Sequence, residues 1–144
     1  MLVRRSEMKF TNRQFGEMTF EEKHVLVVPD GIIGFRTYKK YLIVDDQDTQ
    51  PFRWLVSLED PNLSFALITP DLVVKDYQSK LFSNHDVTVF SLVALKDPVE
   101  ASTMNLRSPL VVDNKTREAH QIILEDESLS MRHPLFNPQP VDTE

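Results

Sequence analysis

The chain has 144 residues, which is the length of one domain built around one continuous core. Its 41% hydrophobic and 26% charged residues are ordinary for a globular protein, and the absence of cysteine excludes disulfides, thiol nucleophiles and thiolate metal sites. No apolar run approaches the roughly 20 residues that a membrane-spanning helix needs. We therefore expect a cytoplasmic protein that does not contact a membrane.

The charge of the chain is unevenly distributed. The formal net charge is −6, but four basic residues outnumber one acidic residue in residues 1–13, which gives that segment +3. Residues 14–144 therefore carry −9, from −6 minus +3. A surface this acidic repels nucleic acid and attracts basic proteins. The charge predicts no direct binding of nucleic acid.

Eight short runs along the chain have the composition and length of β-strands. They are rich in β-branched and aromatic residues, and proline, asparagine and aspartate lie mainly between them. In chain order the runs are Phe15–Phe20, Val25–Val28, Tyr41–Val44, Phe52–Leu58, Ser64–Thr69, Val87–Leu95, Leu110–Val112 and Gln121–Leu124.

The segments between the runs predict two turns and little helix. Asp60 and Pro61 suit the first two positions of a type I turn, which would fold the fourth run back onto the fifth. The segment 113–117 has the length of a hairpin loop. The best helix signal is at 97–100, where Asp97 could cap a turn or two beginning at Pro98. These features predict a mainly β, single-domain, small β-barrel-like fold with one or two short helical turns.

No group of residues predicts catalysis or metal binding. The four histidines lack the spacing of a metal pair, and the acidic segment 45–48 lacks the glycine and glutamate of a calcium loop. We interpret Gly31 to Gly34 as a turn in which the glycines adopt positive φ and Phe35 returns to the core. Trp54 is expected to pack in the core. Catalytic, cofactor and metal sites are therefore all predicted to be absent.

Two other functions remain open at this point. One is a small carboxylate-dependent hydrolase or carbohydrate-binding β-barrel, which would need two convergent acids in a cleft. The other is an oligonucleotide-binding barrel, which would need a basic groove with stacking aromatic residues. The charge of −9 over residues 14–144 argues against the second.

Four segments in order along the chain carry the motifs of a known family. V-P-D-G-I-I-G-F, ending at Phe35, is similar to the apolar-P-(E/D)-G-I-x-G-F segment of the FliW family of flagellar assembly factors. F-R-W-L-V-S-L-E-D-P, ending at Pro61, resembles its F-x-W-L-x-S-x-E-D-P block. T-M-N-L-R-S-P-L-V-V, ending at Val112, and the final R-H-P-L, ending at Leu135, resemble the other two motifs.

The resemblance covers about Met8 to Leu135 and implies the domain boundaries. Family members usually begin near the position of Met8, so residues 1–7 are predicted to be an N-terminal extension. The FliW-like β-barrel domain is then residues 8–136. The polar, proline-rich residues 137–144 are predicted to be a mobile C-terminal tail.

The resemblance also implies a function without catalysis. Such a protein binds the CsrA homodimer, a small RNA-binding translational regulator, and relieves its repression of flagellin mRNA. It also binds flagellin, which releases CsrA when flagellin accumulates. No cofactor is required. The residues expected to contact the partners lie beside the matched motifs, and they are Glu17, Asp30, Glu59, Asp60, Asn105, Arg107, Arg132 and His133.

Overall fold

A computed structural model describes residues 7–84 and 86–136 of the chain. The predicted tail, residues 137–144, lies outside the described residues, as do residues 1–6 of the predicted N-terminal extension. Glu7, the last residue of that predicted extension, is the first residue of a strand.

The fold consists of eleven β-strands and one short α-helix within the described residues. This confirms the mainly β fold predicted from the sequence. In chain order the elements are β1 (Glu7–Asn12), β2 (Gly16–Glu21), β3 (Leu26–Val27), β4 (Lys40–Asp45), β5 (Arg53–Ser57), β6 (Ser64–Ile68), α1 (Tyr77–Leu81), β7 (Val87–Ala94), β8 (Thr103–Met104), β9 (Leu110–Asp113), β10 (Ala119–Gln121) and β11 (His133–Pro134).

The strands form a two-stranded hairpin and one large sheet. β1 pairs with β2, and the large sheet has the order β10-β9-β7-β6-β5-β4-β3, with β8 pairing both β7 and β11. All strand pairs are antiparallel. The two edges of the large sheet meet at one parallel bridge between Val27 and Glu118, where the Val27 amide donates to the Arg117 carbonyl at 2.9 Å. The sheet is therefore barrel-like, and its edges join through this bridge instead of a continuous ladder.

The inner face of the large sheet holds the main core. Leu55 on β5, Leu67 on β6 and Phe90 on β7 all point to this face and meet in one buried cluster. The complete buried cluster is Leu26, Val28, Ile32, Tyr41, Leu55, Leu67, Phe90, Leu110, Val112 and Ala119.

The outer face of the sheet is covered by two separate layers. The β1–β2 hairpin covers Trp54, Val56 and Ala66, which confirms the expected core position of Trp54. The second layer includes Tyr77 of α1 and Leu135, which pack in a cluster with Ile68, Val89, Met104 and Leu106. Because both faces are covered, β5 shows no alternation of buried and exposed residues, and residues 54–57 are all buried.

The predicted turns are present, and the helical segments are short. The Leu63 amide donates to the Asp60 carbonyl at 3.1 Å, which closes the predicted turn at Pro61. The Arg117 amide donates to the Asp113 carbonyl at 2.9 Å and closes the β9–β10 hairpin. The turn predicted at 97–100 is a single 3-10 turn that begins one residue later than expected, because Pro98 has extended backbone angles (φ −74°, ψ 160°).

Helical segments other than α1 are 3-10 turns of three residues each. They lie at Glu22–His24, Gln47–Thr49, Pro70–Leu72 and Val99–Ala101. Among the helices of the described residues, none has the length and apolar character needed to cross a membrane.

Candidate functional site

The loop from Pro29 to Phe35 presents two apolar side chains at the surface. Gly31 and Gly34 have positive φ values of 71° and 90°, as the sequence predicted. Ile32 is 1% exposed and anchors the loop in the core, whereas Ile33 is 42% and Phe35 is 40% exposed. The expectation that Phe35 returns to the core is wrong, because the ring packs edge-on against Phe65, with 5.2 Å between ring centroids, and Ile32 occupies the buried position.

Two acidic turns lie on either side of the segment that follows Phe35. The Lys39 Nζ donates to the Pro29 carbonyl at 2.9 Å, which holds the segment against the Asp30 loop. On the other side, Glu59 Oε1 accepts the backbone amides of Lys39 at 2.5 Å and Lys40 at 3.1 Å. Lys39 therefore contacts both the loop that contains Asp30 and the Glu59 carboxylate.

The Asp60 carboxylate both shapes its turn and charges the surface. Asp60 Oδ1 accepts the Asn62 amide at 2.9 Å, and Ser57 Oγ accepts the amides of Glu59 and Asp60, each at 3.0 Å. The negative charge of Asp60 raises the pKa of the Tyr38 hydroxyl, with smaller contributions from burial and from a hydrogen bond to the same carboxylate. Asp60 therefore faces the Tyr38 hydroxyl.

Glu17 lies on the hairpin that packs beside the same turn. The Arg13 amide donates to the Pro61 carbonyl at 2.8 Å, and Ser64 Oγ donates to Gln14 Oε1 at 2.9 Å. Glu17 follows this hairpin turn on β2 and is exposed. We name the surface formed by Asp30, Ile33, Phe35, Glu59 and Asp60 the acidic–aromatic face, and Glu17 is not brought into contact with it.

The other four predicted residues form a second group around β8 and β11. Asn105 Oδ1 accepts the amides of Arg107 at 3.0 Å and Ser108 at 2.9 Å, so its side chain shapes a turn. Arg107 Nε donates to the Leu124 carbonyl at 3.1 Å. Arg132 is exposed, and His133 on β11 pairs with Met104 on β8. The side chains of Asn105 and Arg107 therefore stabilise local structure.

Gln121 connects the two groups, although the sequence does not predict it as a site residue. Its Oε1 accepts the Ile33 amide at 2.9 Å, and its Nε2 donates to the Ser108 carbonyl at 3.1 Å. One side-chain amide therefore holds both the Asp30 loop and the turn after Asn105. The partners are 88 and 13 residues away along the chain, so no local pattern could reveal the contact.

His120 adds an ionisable group to the edge of the acidic–aromatic face. Its Nδ1 lies 3.6 Å from Asp30 Oδ2, and its Nε2 lies 3.5 Å from Glu118 Oε1. Within residues 7–84 and 86–136, no group of three or more His, Asp or Glu side chains is arranged to hold a metal ion. The face combines two exposed apolar side chains with surrounding carboxylates, which suits a protein surface that carries apolar and basic residues.

Comparisons with known proteins agree in one family. The family model described as FliW protein matches residues 9–135. The flagellar assembly factor FliW of Caldicellulosiruptor bescii is 33% identical, with 94% of this chain and 94% of that protein covered. The flagellar assembly factor FliW of Bdellovibrio bacteriovorus is 30% identical, with 90% of this chain and 79% of that protein covered. A crystal structure of the flagellar assembly factor FliW matches with a TM-score of 0.81 at 26% identity, and the match covers 92% of this chain and 99% of that chain.

Proposed function

This chain belongs to the FliW family of flagellar assembly factors, and from this premise we propose that it acts by binding two proteins in turn, CsrA and flagellin. Binding to the CsrA homodimer relieves repression of flagellin mRNA in the cytoplasm. Flagellin that accumulates there occupies the factor, and CsrA is released to repress translation again. The chain performs this role without catalysis and without a cofactor.

The observation that supports this proposal best is the composition of the acidic–aromatic face. Ile33 and Phe35 are 42% and 40% exposed, and aromatic side chains at the centre of an interface contribute most of its binding energy. Asp30 lies in the same loop, and Asp60 faces Tyr38, whose amide donates to the Phe35 carbonyl at 3.4 Å. Carboxylates at such a rim attract a basic RNA-binding protein and repel the phosphates of its RNA.

Calorimetric titrations with purified CsrA and with purified flagellin test the proposal. We expect submicromolar binding to CsrA that weakens with added salt, because salt screens charges on exposed rims. Flagellin added first should abolish CsrA binding. If neither protein binds, the proposed function is contradicted.

Matched variants locate the contact on the acidic–aromatic face. Phe35→Ala should weaken CsrA binding about 30-fold, the effect of losing a hot spot of about 2 kcal/mol. Leu72→Ala serves as its control, because Leu72 is 64% exposed and lies outside the face. Asp60→Asn keeps the side-chain oxygen that shapes the turn, so it should reduce binding and its salt dependence without unfolding the protein. Glu127→Gln, an equal change of charge at an exposed position, should change neither.

A further inference from the structure

A small polar pocket lies at one end of the inner face of the large sheet. Arg53 is two residues before Leu55 on β5, and Thr88 is two residues before Phe90 on β7, so both point to the same face as the core. The pocket has a volume of about 200 Å³. Its lining residues are Ile43, Arg53, Thr88, Phe90, Val112, Asn114 and Arg117.

The first of the two guanidinium groups in this pocket is already paired. Arg53 binds Asp45 through two hydrogen bonds, Nε to Oδ1 and Nη2 to Oδ2, the second at 3.3 Å. Its Cζ lies 5.4 Å from the centroid of the Phe90 ring, which fixes the guanidinium at the wall of the pocket. Asp45 therefore balances the charge of Arg53.

The second guanidinium group, that of Arg117, has no acidic partner among the described residues. Its Nη2 donates to the His24 carbonyl at 3.0 Å. Its Nε is buried and has no hydrogen-bond partner among the described residues. The ion pairs found in the described part of the chain do not include Arg117. Leaving a buried donor unpaired destabilises the folded protein.

The backbone holds Arg117 in this position. Its φ is 61°, a left-handed value that is uncommon for a residue other than glycine, asparagine or aspartate. The tight turn closed by Asp113 imposes this conformation, and the Arg117 carbonyl accepts the Val27 amide at the sheet edge. The hairpin turn and the β3 edge therefore both fix the backbone of Arg117, which holds its charged side chain at the pocket.

We infer that this pocket binds a small oxyanion, a phosphate or carboxylate group that accepts hydrogen bonds from Arg117 and Arg53. Two guanidinium groups against the one carboxylate of Asp45 leave +1 at a pocket in a chain whose net charge is −6. Arginine binds such groups through paired, charge-assisted hydrogen bonds. Thr88 Oγ1 donates to Asn114 Oδ1 at 2.9 Å, which leaves the Asn114 amide NH₂ as a further donor.

The size of the pocket limits the ligand to a small group. A volume of about 200 Å³ is far larger than the ~10–15 Å³ needed to admit one water molecule. It is smaller than the roughly 300–1,000 Å³ of pockets that enclose drug-sized ligands. A single phosphate or carboxylate group fits these limits, and a nucleotide does not. The site lies outside the acidic–aromatic face, so it does not depend on the function proposed for that face.

Titration of the full chain with inorganic phosphate, followed by backbone amide NMR at constant ionic strength, tests the site. We expect saturable shifts, with a millimolar Kd, centred on the amides of Thr88, Asn114 and Arg117. A parallel titration with acetate distinguishes the two sources of the ligand. Tighter binding of phosphate assigns the site to free phosphate, and tighter binding of acetate assigns it to a carboxylate such as an acidic group of a partner. Shifts that are absent or do not saturate with both anions would overturn the inference.

Two substitutions in the same turn give a matched comparison. Arg117→Asn removes the guanidinium but tolerates positive φ, so phosphate should bind about tenfold or more weakly. Lys115→Asn removes an equal charge two residues away, where Lys115 Nζ lies 3.3 Å from Asp86, and should leave the Kd unchanged. Equal weakening in both variants would indicate general charge attraction and contradict the site. If Arg117→Asn fails to fold, Arg117→Lys keeps the charge without the paired donors and should still bind phosphate more weakly than the unmodified chain.

Discussion

Single residues in the Asp30 loop illustrate how the backbone sets the shape of the surface. Gly31 and Gly34 both have positive φ, but their surroundings differ. A Cβ at Gly31 would lie 2.5 Å from the Arg36 Cα and 2.8 Å from the Arg36 carbonyl oxygen, whereas a Cβ at Gly34 would have nothing within 4 Å. At position 31 a side chain would clash with the Arg36 backbone and would also be strained at positive φ. At position 34 only the positive φ favours glycine.

The two glycines therefore predict different costs of substitution. Gly34→Ala should lower the free energy of unfolding by about 1–2 kcal/mol, because an alanine is strained at positive φ. Gly31→Ala should cost about 1–3 kcal/mol more, because the backbone of Arg36 must also move. Urea unfolding of both variants measures the difference. An equal loss of unfolding free energy in both variants would show that the Arg36 backbone moves away from the new Cβ without an energetic penalty.

At the scale of elements, the sequence predicts most of the strands but misses the six-residue β1 and the two-residue strands β8 and β11. β4 and β7 each contain four consecutive apolar or β-branched residues and β5 contains three, so their existence follows from composition. β8 and β11 have two residues each, too few for any periodic pattern. The helix α1 lacks a local signal as well, since its N-cap Asp76 has a φ of 61° and makes no side-chain capping bond.

The β9–β10 hairpin should lose stability in acid through Asp113. Its carboxylate accepts the amides of Thr116 and Lys115, and these hydrogen bonds hold the pKa of Asp113 below its ordinary value of 3.8. A lowered pKa in the folded state stabilises the protein above pH 3.8, and this contribution is lost as the pH falls through the folded pKa.

Thermal unfolding of two variants across this range of pH tests the role of Asp113. Asp113→Ala should be less stable than the unmodified chain at pH 7, and the difference should shrink below pH 3.8. Asp113→Asn keeps an acceptor oxygen but cannot titrate in this range, so its stability should change less with pH. A deficit of Asp113→Ala that stays constant down to pH 2 would contradict the assignment.

The β1–β2 hairpin should be detectable through the single tryptophan. Trp54 is 8% exposed beneath the hairpin, and its ring centroid lies 6.0 Å from that of Phe15 in an edge-on contact. Phe15→Ala should destabilise the protein by about 1–3 kcal/mol and shift the fluorescence emission of Trp54 to longer wavelength. Phe35→Ala is the control, because Phe35 packs against Phe65 and not Trp54. An unchanged emission maximum in Phe15→Ala would show that other residues shield Trp54.

For the whole molecule, the sequence predicts the class of fold and the locations of the acidic turns but not their assembly. The turn at Asp60 and Pro61 could be predicted, because aspartate and proline at these positions favour a type I turn by themselves. The contact of Gln121 with Ile33 joins residues 88 apart, and the pocket around Arg117 draws on four strands and a turn. Such groupings depend on the order of strands in the sheet, which composition and periodicity do not specify.

The domain predicted as 8–136 leads to a test on the whole chain. The residues of the three core clusters lie between Phe10 and Leu135. A truncated protein of residues 7–136 should therefore unfold within about 4 °C of the full chain, by differential scanning calorimetry. A second truncation to residues 22–136, which removes the hairpin over Trp54, should unfold at a clearly lower temperature. A loss of cooperativity in residues 7–136 would show that the termini contribute to the fold.

The single bridge between Val27 and Glu118 has a consequence for hydrogen exchange. This isolated bridge is far weaker than the five-residue ladder between β4 and β5, so local opening should begin at this edge. The Val27 amide should exchange with deuterium before the amides of β5. Because its acceptor is Arg117, opening the edge also dismantles the oxyanion pocket. Phosphate bound there should therefore slow the exchange of the Val27 amide, because a ligand that binds only the closed edge stabilises the closed state.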